Sequence, residues 1–492
     1  MRIPNSNRGS VLVVALLFSA VIAISLASYL RLSVTSARLS QRSFYANAAM
    51  NLVDTGMEQA LWSLNHSNWT GAGFSQNPSA STQWQGSFPL GTDPYYHFAQ
   101  GVKGQVKVWV DLSNATRPHV VAETQIILGD GSVLRKMAET YVQTRSYFAN
   151  GLVAKQDITF SGNNAQVDSW NSDPDNNPGT PAIPFSSSVA HDNGRVGCTS
   201  VQVDSVSVSN ANIYGFVAIG ANTLAGITVG PRGLVGPYGT PENGTIDPTH
   251  VTYDFTTSFP DQSAPTTAVS NPIGAISGSR SLPGVGDHIN PGNDTYYYTV
   301  PSISLSGGSA TLSIGTASSH AKVVIIVQNS IGETVSVTGG GAGISIAPGS
   351  SLALYTAGDV KIAGNGVVNG SYDPSQPLSA TNAPNEPIDF QLFGTRLTES
   401  PQTYQDIKIA GNGYLSGVVY APNASVELKG GGTSGQVLGA AVANTVSITG
   451  NSIFHYDESL ANFGGSSLWG LTKWRELTSA ADRSAVASSL DF

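Results

Sequence analysis

The chain has 492 residues, enough for two or three domains with separate cores. Charged residues make up 11%, well under the usual quarter or so, and Gly is abundant; this balance argues against a cytoplasmic α/β enzyme and for an exported, turn-rich β protein. The net charge of −9 is dispersed with no long basic run, which leaves no footprint for nucleic acid, and a single cysteine, Cys198, excludes internal disulfides, thiolate zinc sites and redox pairs.

The first predicted element is a helix. Val11 to Leu30 is twenty residues without a charge. At 1.5 Å per residue that is about 30 Å, enough to cross a hydrocarbon core. Arg2 and Arg8 precede the segment and Arg31, Arg38 and Arg42 follow it, so charge counting gives no topology. The helical pattern continues beyond the membrane. Leu30, Val34, Ala37, Phe44, Ala48, Leu52 and Leu61 recur at spacings of three, four or their multiples, and no Pro interrupts between Asn5 and Leu64. The first half is apolar all round and the second half is amphipathic, so the apolar stripe is expected to lie on a folded domain.

Arg8-Gly9-Ser10 before the apolar run resembles a type IV prepilin leader. The stretch Ala46 to Leu61, with Gly56 and Glu58 in a Gly-x-Glu-x-Ala-type segment, looks like the second half of PilX-like minor pilins. The resemblance covers about residues 7–65. It implies a leader over residues 1–9 cut between Gly9 and Ser10 by a prepilin peptidase. It further implies a pilin-like helix over 10–65 with a transmembrane segment at 11–30. Most pilins carry glutamate as the fifth mature residue, where this chain has Val14. In that family the carboxylate meets the amino terminus of a neighbour, so Val14 points to a tip or initiating subunit rather than a repeating shaft subunit. The implied partners are other pilins or pseudopilins and an inner-membrane assembly platform. The implied location is the bacterial inner membrane, single-pass, with the large domain outside the cytoplasm, and the pilus or cell surface after assembly. A plain signal anchor, or secretion with cleavage near Ala27, are the alternatives.

Residues 66–150 are expected to form a small antiparallel sheet. Residues 105–112 alternate at period two, and two further runs flank Gly129-Asp-Gly131, a hairpin signal. The helix stripe through Phe44, Ala48 and Leu52 is its expected partner, and Trp109 is expected in the core.

From Gly151 a short unit recurs: apolar, any, apolar, any, Gly, then Asn or Gly. It begins at Ile158, Val335, Val360, Ile407, Val426 and Val446. Two apolar residues point one way from a short strand and Gly-Asn turns the chain. Stacked units bury a continuous column. The fold class is therefore mainly β with one long N-terminal α-helix, ending in a right-handed parallel β-helix over 151–460; a Gly-rich β-sandwich is the rival. Inserts at 177–195, 231–301 and 371–401 are expected to project as loops and could carry binding contacts. Residues 461–492 are expected to form a cap or tail that closes the stack.

Candidate chemistry is sparse. Eight scattered histidines form no local metal pair, so zinc is not expected. Asp168, Asp173 and Asp175 are a weak Ca²⁺ candidate against a solvated Asx turn, which is preferred because the EF-hand Gly and distal Glu are missing. His455-Tyr456-Asp457-Glu458 sets an imidazole beside carboxylates, with a polar final rung as the preferred alternative. No cofactor and no enzymatic activity are expected. The function expected is a minor pilin-like component of a type IV pilus or secretion pseudopilus. The alternative is a membrane-anchored β-helix adhesin, or an enzyme acting on a surface glycan.

Overall fold

The computed structural model describes residues 8–66, 68–114, 117–162, 164–177, 179–267, 269–397, 404–411, 415–430, 436–462, 468–487 and 490. Leader residues 1–7 and the turn residues Asn163, Asn412 and Gly431 of the repeated unit lie outside this set. The chain divides into two compact units, Met1–Thr144 with Leu468–Phe492, and Arg145–Ser467.

In the first unit, α1 spans Arg8–His66, 59 residues. At 1.5 Å per residue it reaches about 90 Å. Residues 12–44 are exposed on every side, and this helix is long and apolar enough to cross a membrane. The lower part carries a buried stripe of Tyr45, Ala49, Val53, Met57, Ala60 and Leu64. That stripe is offset by one residue from the expected Phe44, Ala48 and Leu52. Phe44 faces outward, 66% exposed, while Ala48 and Leu52 flank the contact. The shift places small residues where the backbones must approach. A Cβ on Gly56 would lie 2.7 Å from Val108 Cγ2 and 2.9 Å from Val106 Cγ2. Gly56 is thus a close-packing position between helix and sheet, a role the family resemblance did not imply.

The sheet beneath α1 is antiparallel. Its strands are β1 (Phe74–Asn77), β2 (Ala80–Phe88), β3 (Tyr96–His97), β4 (Lys103–Asp111), β5 (His119–Ile127) and β6 (Val133–Arg145). The order is β1-β2-β4-β5-β6, with β3 also on β4. The expected hairpin joins β5 and β6 in register from His119↔Tyr141 to Ile127↔Val133. Val106, Val108, Val110, Val120 and Ala122 form a core with the α1 stripe. Trp109, Val121 and Met137 point to the opposite face and pack with Leu477, Leu490 and Val486.

Those last residues belong to the C-terminal tail, expected at the end of the solenoid. Instead the strand Leu468–Glu476 adds to the sheet beside β6, and helix α2 (Ala480–Ala487) follows it. The tail covers an apolar sheet face that would otherwise meet water, which outweighs capping a strand edge.

The second unit is built from parallel strand pairs in long ladders. It starts with β7 (Leu152–Ser161) and β8 (Gln166–Trp170). The sequence repeat forms a single column. Val335 pairs with Val360, then Ile407, Val426, Val446, Ile158 and Val206, in unbroken register. The second apolar residue of each unit makes a parallel column through Val337, Ile362, Ile409, Leu428, Ile448 and Phe160. All of these side chains are buried. Another ladder runs Tyr298–Ile325–Leu354–Leu392–Val419–Ala441–Leu152–Val196–Val217–Val251. Parallel stacking excludes the sandwich, whose sheets would be antiparallel.

The stack order is not the chain order. The first repeat unit, at Ile158, sits on the last one, at Val446. The chain therefore enters in the middle of the stack and builds toward the strand Val251–Thr252. It then builds back from the strand Asn271–Pro272 until Ile453–Asp457 meets β8. The intervening segment, within the 231–301 insert, does not project. Phe255 and Phe259 pack against the core, Tyr420 donates to Pro260 O (2.9 Å), and Asn423 donates to Asp261 Oδ1 (2.7 Å). A return strap is required because a parallel stack grows only from its ends.

Two substitutions test these cores. Gly56→Leu should destabilise the first unit by about 1–3 kcal/mol through overpacking, with Val108→Ala restoring part of the loss in thermal melts. Ile448→Ala, between Leu428 and Phe160, should cost the second unit about 2–5 kcal/mol, while Thr449→Ala on the outward side should change its melting little.

Candidate functional site

Two of the expected inserts meet. Gly179–Ala182 from one and residues 380–389 from the other line a cavity of about 360 Å³, with His320, Pro348 and Gly349 completing it. The size falls in the range of small-molecule sites.

The floor is set by two amides. Asn385 Nδ2 donates to Ala347 O (3.0 Å), Ser350 O (3.2 Å) and Asn369 Oδ1 (3.1 Å), and its Oδ1 accepts from Gly349 N (2.9 Å). Asn369 Nδ2 in turn donates to Glu386 O (3.0 Å). Both amides are buried, so the turn Glu386-Pro387-Ile388-Asp389 is pinned to the ladder. Pro387 seats against Gly439, whose φ of +130° only glycine adopts freely and where a Cβ would strike Gly417 O. On the opposite wall, Trp170 Nε1 donates to Ile183 O (3.1 Å) and Ile183 N to Ser172 O (2.8 Å). Thr180 Oγ1 is tied to Asp175 Oδ1 (3.1 Å).

Glu386 and Asp389 are the titratable groups of the turn. Burial pushes Glu386 up to about 7, assisted by the charges of Asp173 and Asp457. Burial also pushes Asp389 up to about 7, assisted by Glu386, while a backbone hydrogen bond at Glu386 and the more distant Lys322 pull the other way. Two acceptor-rich groups that exchange protons near neutrality therefore face one cavity.

The two chemical segments singled out in sequence also converge. The strand Ile453–Asp457 pairs with β8 so that His455 lies opposite Asp168. His455 Nδ1 bonds Asp168 Oδ1, and Gln166 Nε2 donates to Asp168 Oδ2 (2.9 Å). His455 is 2% exposed, stacks on Phe185 at 3.5 Å between centroids, and its Nε2 has no partner among the described residues. Asp457 is buried and accepts from Ser172 N (3.0 Å), Ser172 Oγ (2.6 Å) and Ser459 N (3.1 Å). Burial raises its pKa and those hydrogen bonds oppose the rise. Glu458 Oε1 accepts from Ser169 Oγ (2.7 Å) and pairs with His191 Nδ1 (3.0 Å). These bonds tie the 171–193 insert to the last rung, which matches the polar-rung alternative.

The Ca²⁺ candidates do not gather. Asp168 is committed to His455. Asp173 and Asp175 sit in a turn where Asp173 Oδ1 accepts from Asn177 N (3.0 Å), and a hydrogen bond with Asp173 is the largest cause holding Asp175 below its usual value. Among the described residues no group of three or more His, Cys, Asp or Glu side chains could hold a metal ion. Gly9 and Ser10 lie in the first turns of α1, Val14 is exposed along it, and Glu58 is exposed lower down. Glu386 and Asp389 were missed in sequence. Their partners across the cavity lie up to about two hundred positions away, and the local string shows only an acidic pair around a proline.

Residues 254–463 match the sequence profile of a domain of unknown function, DUF7305. The match opens at the return strap and closes just past the final rung, leaving out β7, β8 and the strands that follow them up to Val251–Thr252. No curated protein matches the chain. A solved structure described as the competence-associated pilin ComZ from Thermus thermophilus matches at 11% identity, over 87% of this chain and 97% of that one, with a TM-score of 0.23. A score that low is not a shared fold, and nothing about function follows from it.

Carboxyls raised in the folded state bind protons that the unfolded chain would release. Their stabilisation is complete below about pH 4, where unfolded carboxyls are also protonated, and is lost as pH rises through about 7. The melting transition lowered by Ile448→Ala should therefore fall between about pH 5 and pH 8, and the pair Glu386→Gln and Asp389→Asn should flatten that slope.

Proposed function

We propose that this chain is a minor pilin-like structural component of a type IV pilus or related secretion pseudopilus, of the PilX-like kind. The observation that carries the reading is the division of α1. Residues 12–44 are bare and their first part, through Leu30, is apolar and uncharged, while the stripe from Tyr45 to Leu64 lies on an antiparallel sheet. A helix built this way waits in a bilayer with its folded half in water, and its apolar half can later pack against equivalent helices. In this reading Gly9–Ser10 is the cleavage site of a prepilin peptidase, other pilins and an inner-membrane assembly platform are the partners, and the second unit is a right-handed solenoid outside the cytoplasm. Its more than 300 residues are too bulky to repeat densely in a shaft, and Val14 supplies no carboxylate for a neighbour's amino terminus. Both features support a tip or initiating position without enzymatic activity.

Sequencing the amino terminus of the mature protein tests the reading. A chain beginning at Ser10 is expected; one beginning at Met1 or Ser28 would sink it. Immunogold labelling should mark pilus ends, and label confined to the membrane with normal piliation in a deletion strain would count against the tip.

The cavity at Glu386 and Asp389 favours a second reading, a membrane-anchored β-helix adhesin or an enzyme acting on a surface glycan. Binding and turnover on a glycan panel by the full chain in detergent would distinguish it.

A further inference from the structure

The cavity has chemistry that neither its walls nor its neighbours use. Proline and alanine supply much of the lining: Pro181, Ala182, Pro348, Ala383 and Pro384. Its polar groups are mostly committed. Asn385 is engaged on both side-chain atoms, and Thr180 bonds Asp175 and Asn177 O. Among the described residues the carboxylates of Glu386 and Asp389 have no side-chain hydrogen bond or ion pair; Asp389 accepts one backbone hydrogen bond, from the Glu386 N–H. Three carboxylates near the last rung are closed off by contrast: Asp457 by Ser172 and Ser459, Asp168 by His455 and Gln166, Glu458 by Ser169 and His191.

The charges facing the pair come from four directions. Asp173 on the 171–193 insert and Asp457 on the last rung repel Glu386. Glu386 repels Asp389, and Lys322 draws on it only weakly. His320 lines the rim. The balance is negative. A ligand that only accepts hydrogen bonds is repelled, a neutral polyol gains no charge–charge term, and an ammonium gains both charge and donors.

We propose that this cavity binds a primary ammonium group carried on a compact ligand of about monosaccharide size, with Glu386 and Asp389 as its acceptors. The volume suits a group of about one six-membered ring, and the proline and alanine walls suit the ring's C–H surface. The proposal rests on the cavity being a ligand site and does not depend on the chain's role in a pilus. Binding requires the ionised carboxylates, so it is coupled to proton release near neutrality.

The test is isothermal titration calorimetry on the full chain in detergent micelles, with cyclohexylammonium as the probe and cyclohexanol as its neutral isostere. At about pH 8 the ammonium should give saturable binding and the alcohol none. Between about pH 8 and pH 6 the affinity should fall about tenfold or more, since each carboxylate must lose a proton for the cation to bind. Glu386→Gln and Asp389→Asn should each weaken binding about tenfold, with an unchanged melting curve at about pH 5 showing an intact fold. No saturable binding at pH 8, equal binding of cyclohexanol, or undiminished affinity in the double variant would each overturn the proposal. None of these outcomes bears on where the mature chain begins or where it is found in a pilus.

Discussion

The second unit depends on one constraint: each rung can bury its inward apolar pair only if a neighbouring rung lies on it. A strand of four or five residues with two inward side chains has no stability alone. The column through Val335, Val360, Ile407, Val426, Val446 and Ile158 satisfies this through five successive pairings. Because the pairing is parallel, each rung must be followed by a turn that carries the chain on to its next strand. Uneven inserts are tolerated between rungs since loop closure costs grow slowly with length.

The same constraint explains where the inserts go. A stack that is entered in the middle needs a strap back to its far end, and residues 253–270 supply it. Its Phe255 and Phe259 pack against the buried core. It explains the cavity too. The 171–193 and 371–389 inserts leave from the two ends of the column that runs from Val360 to Ile158, and both reach the cavity. The buried amide pair Asn369–Asn385 and the carboxylate Asp457 hold their roots. With backbone fixed on both sides, Glu386 is held partly buried and Asp389 largely buried, and acidic protons are retained to about neutral pH.

The first unit solves a different problem with the same economy of contact. A helix about 90 Å long can be fixed to a sheet only over the part that presents small residues. Ala49, Gly56 and Ala60 let α1 settle on β4 and β5, while the part above Tyr45 has no sheet to cover it. The opposite sheet face, with Trp109 and Met137, is closed by Leu477 and Leu490 from the end of the chain.

Local periodicity carried much of this in the sequence. The uncharged run from Val11 to Leu30 determined a helix able to span a membrane. The alternation around Trp109 and the Gly129-Asp-Gly131 turn determined an antiparallel hairpin. The apolar-x-apolar-x-Gly unit determined that its members stack. Each is a signal within a few residues, where side-chain direction follows from backbone geometry alone. Tertiary structure alone decided the rest: that the stripe runs through Tyr45 and Ala49 and not Phe44, that Ile158 rests on Val446, that the tail joins the first sheet, and that His455 meets Asp168. These depend on which surfaces are left uncovered once the local elements exist, and no local pattern encodes that. Glu386 and Asp389 belong to the same class, since two ordinary acids become a site only when a distant insert closes over them.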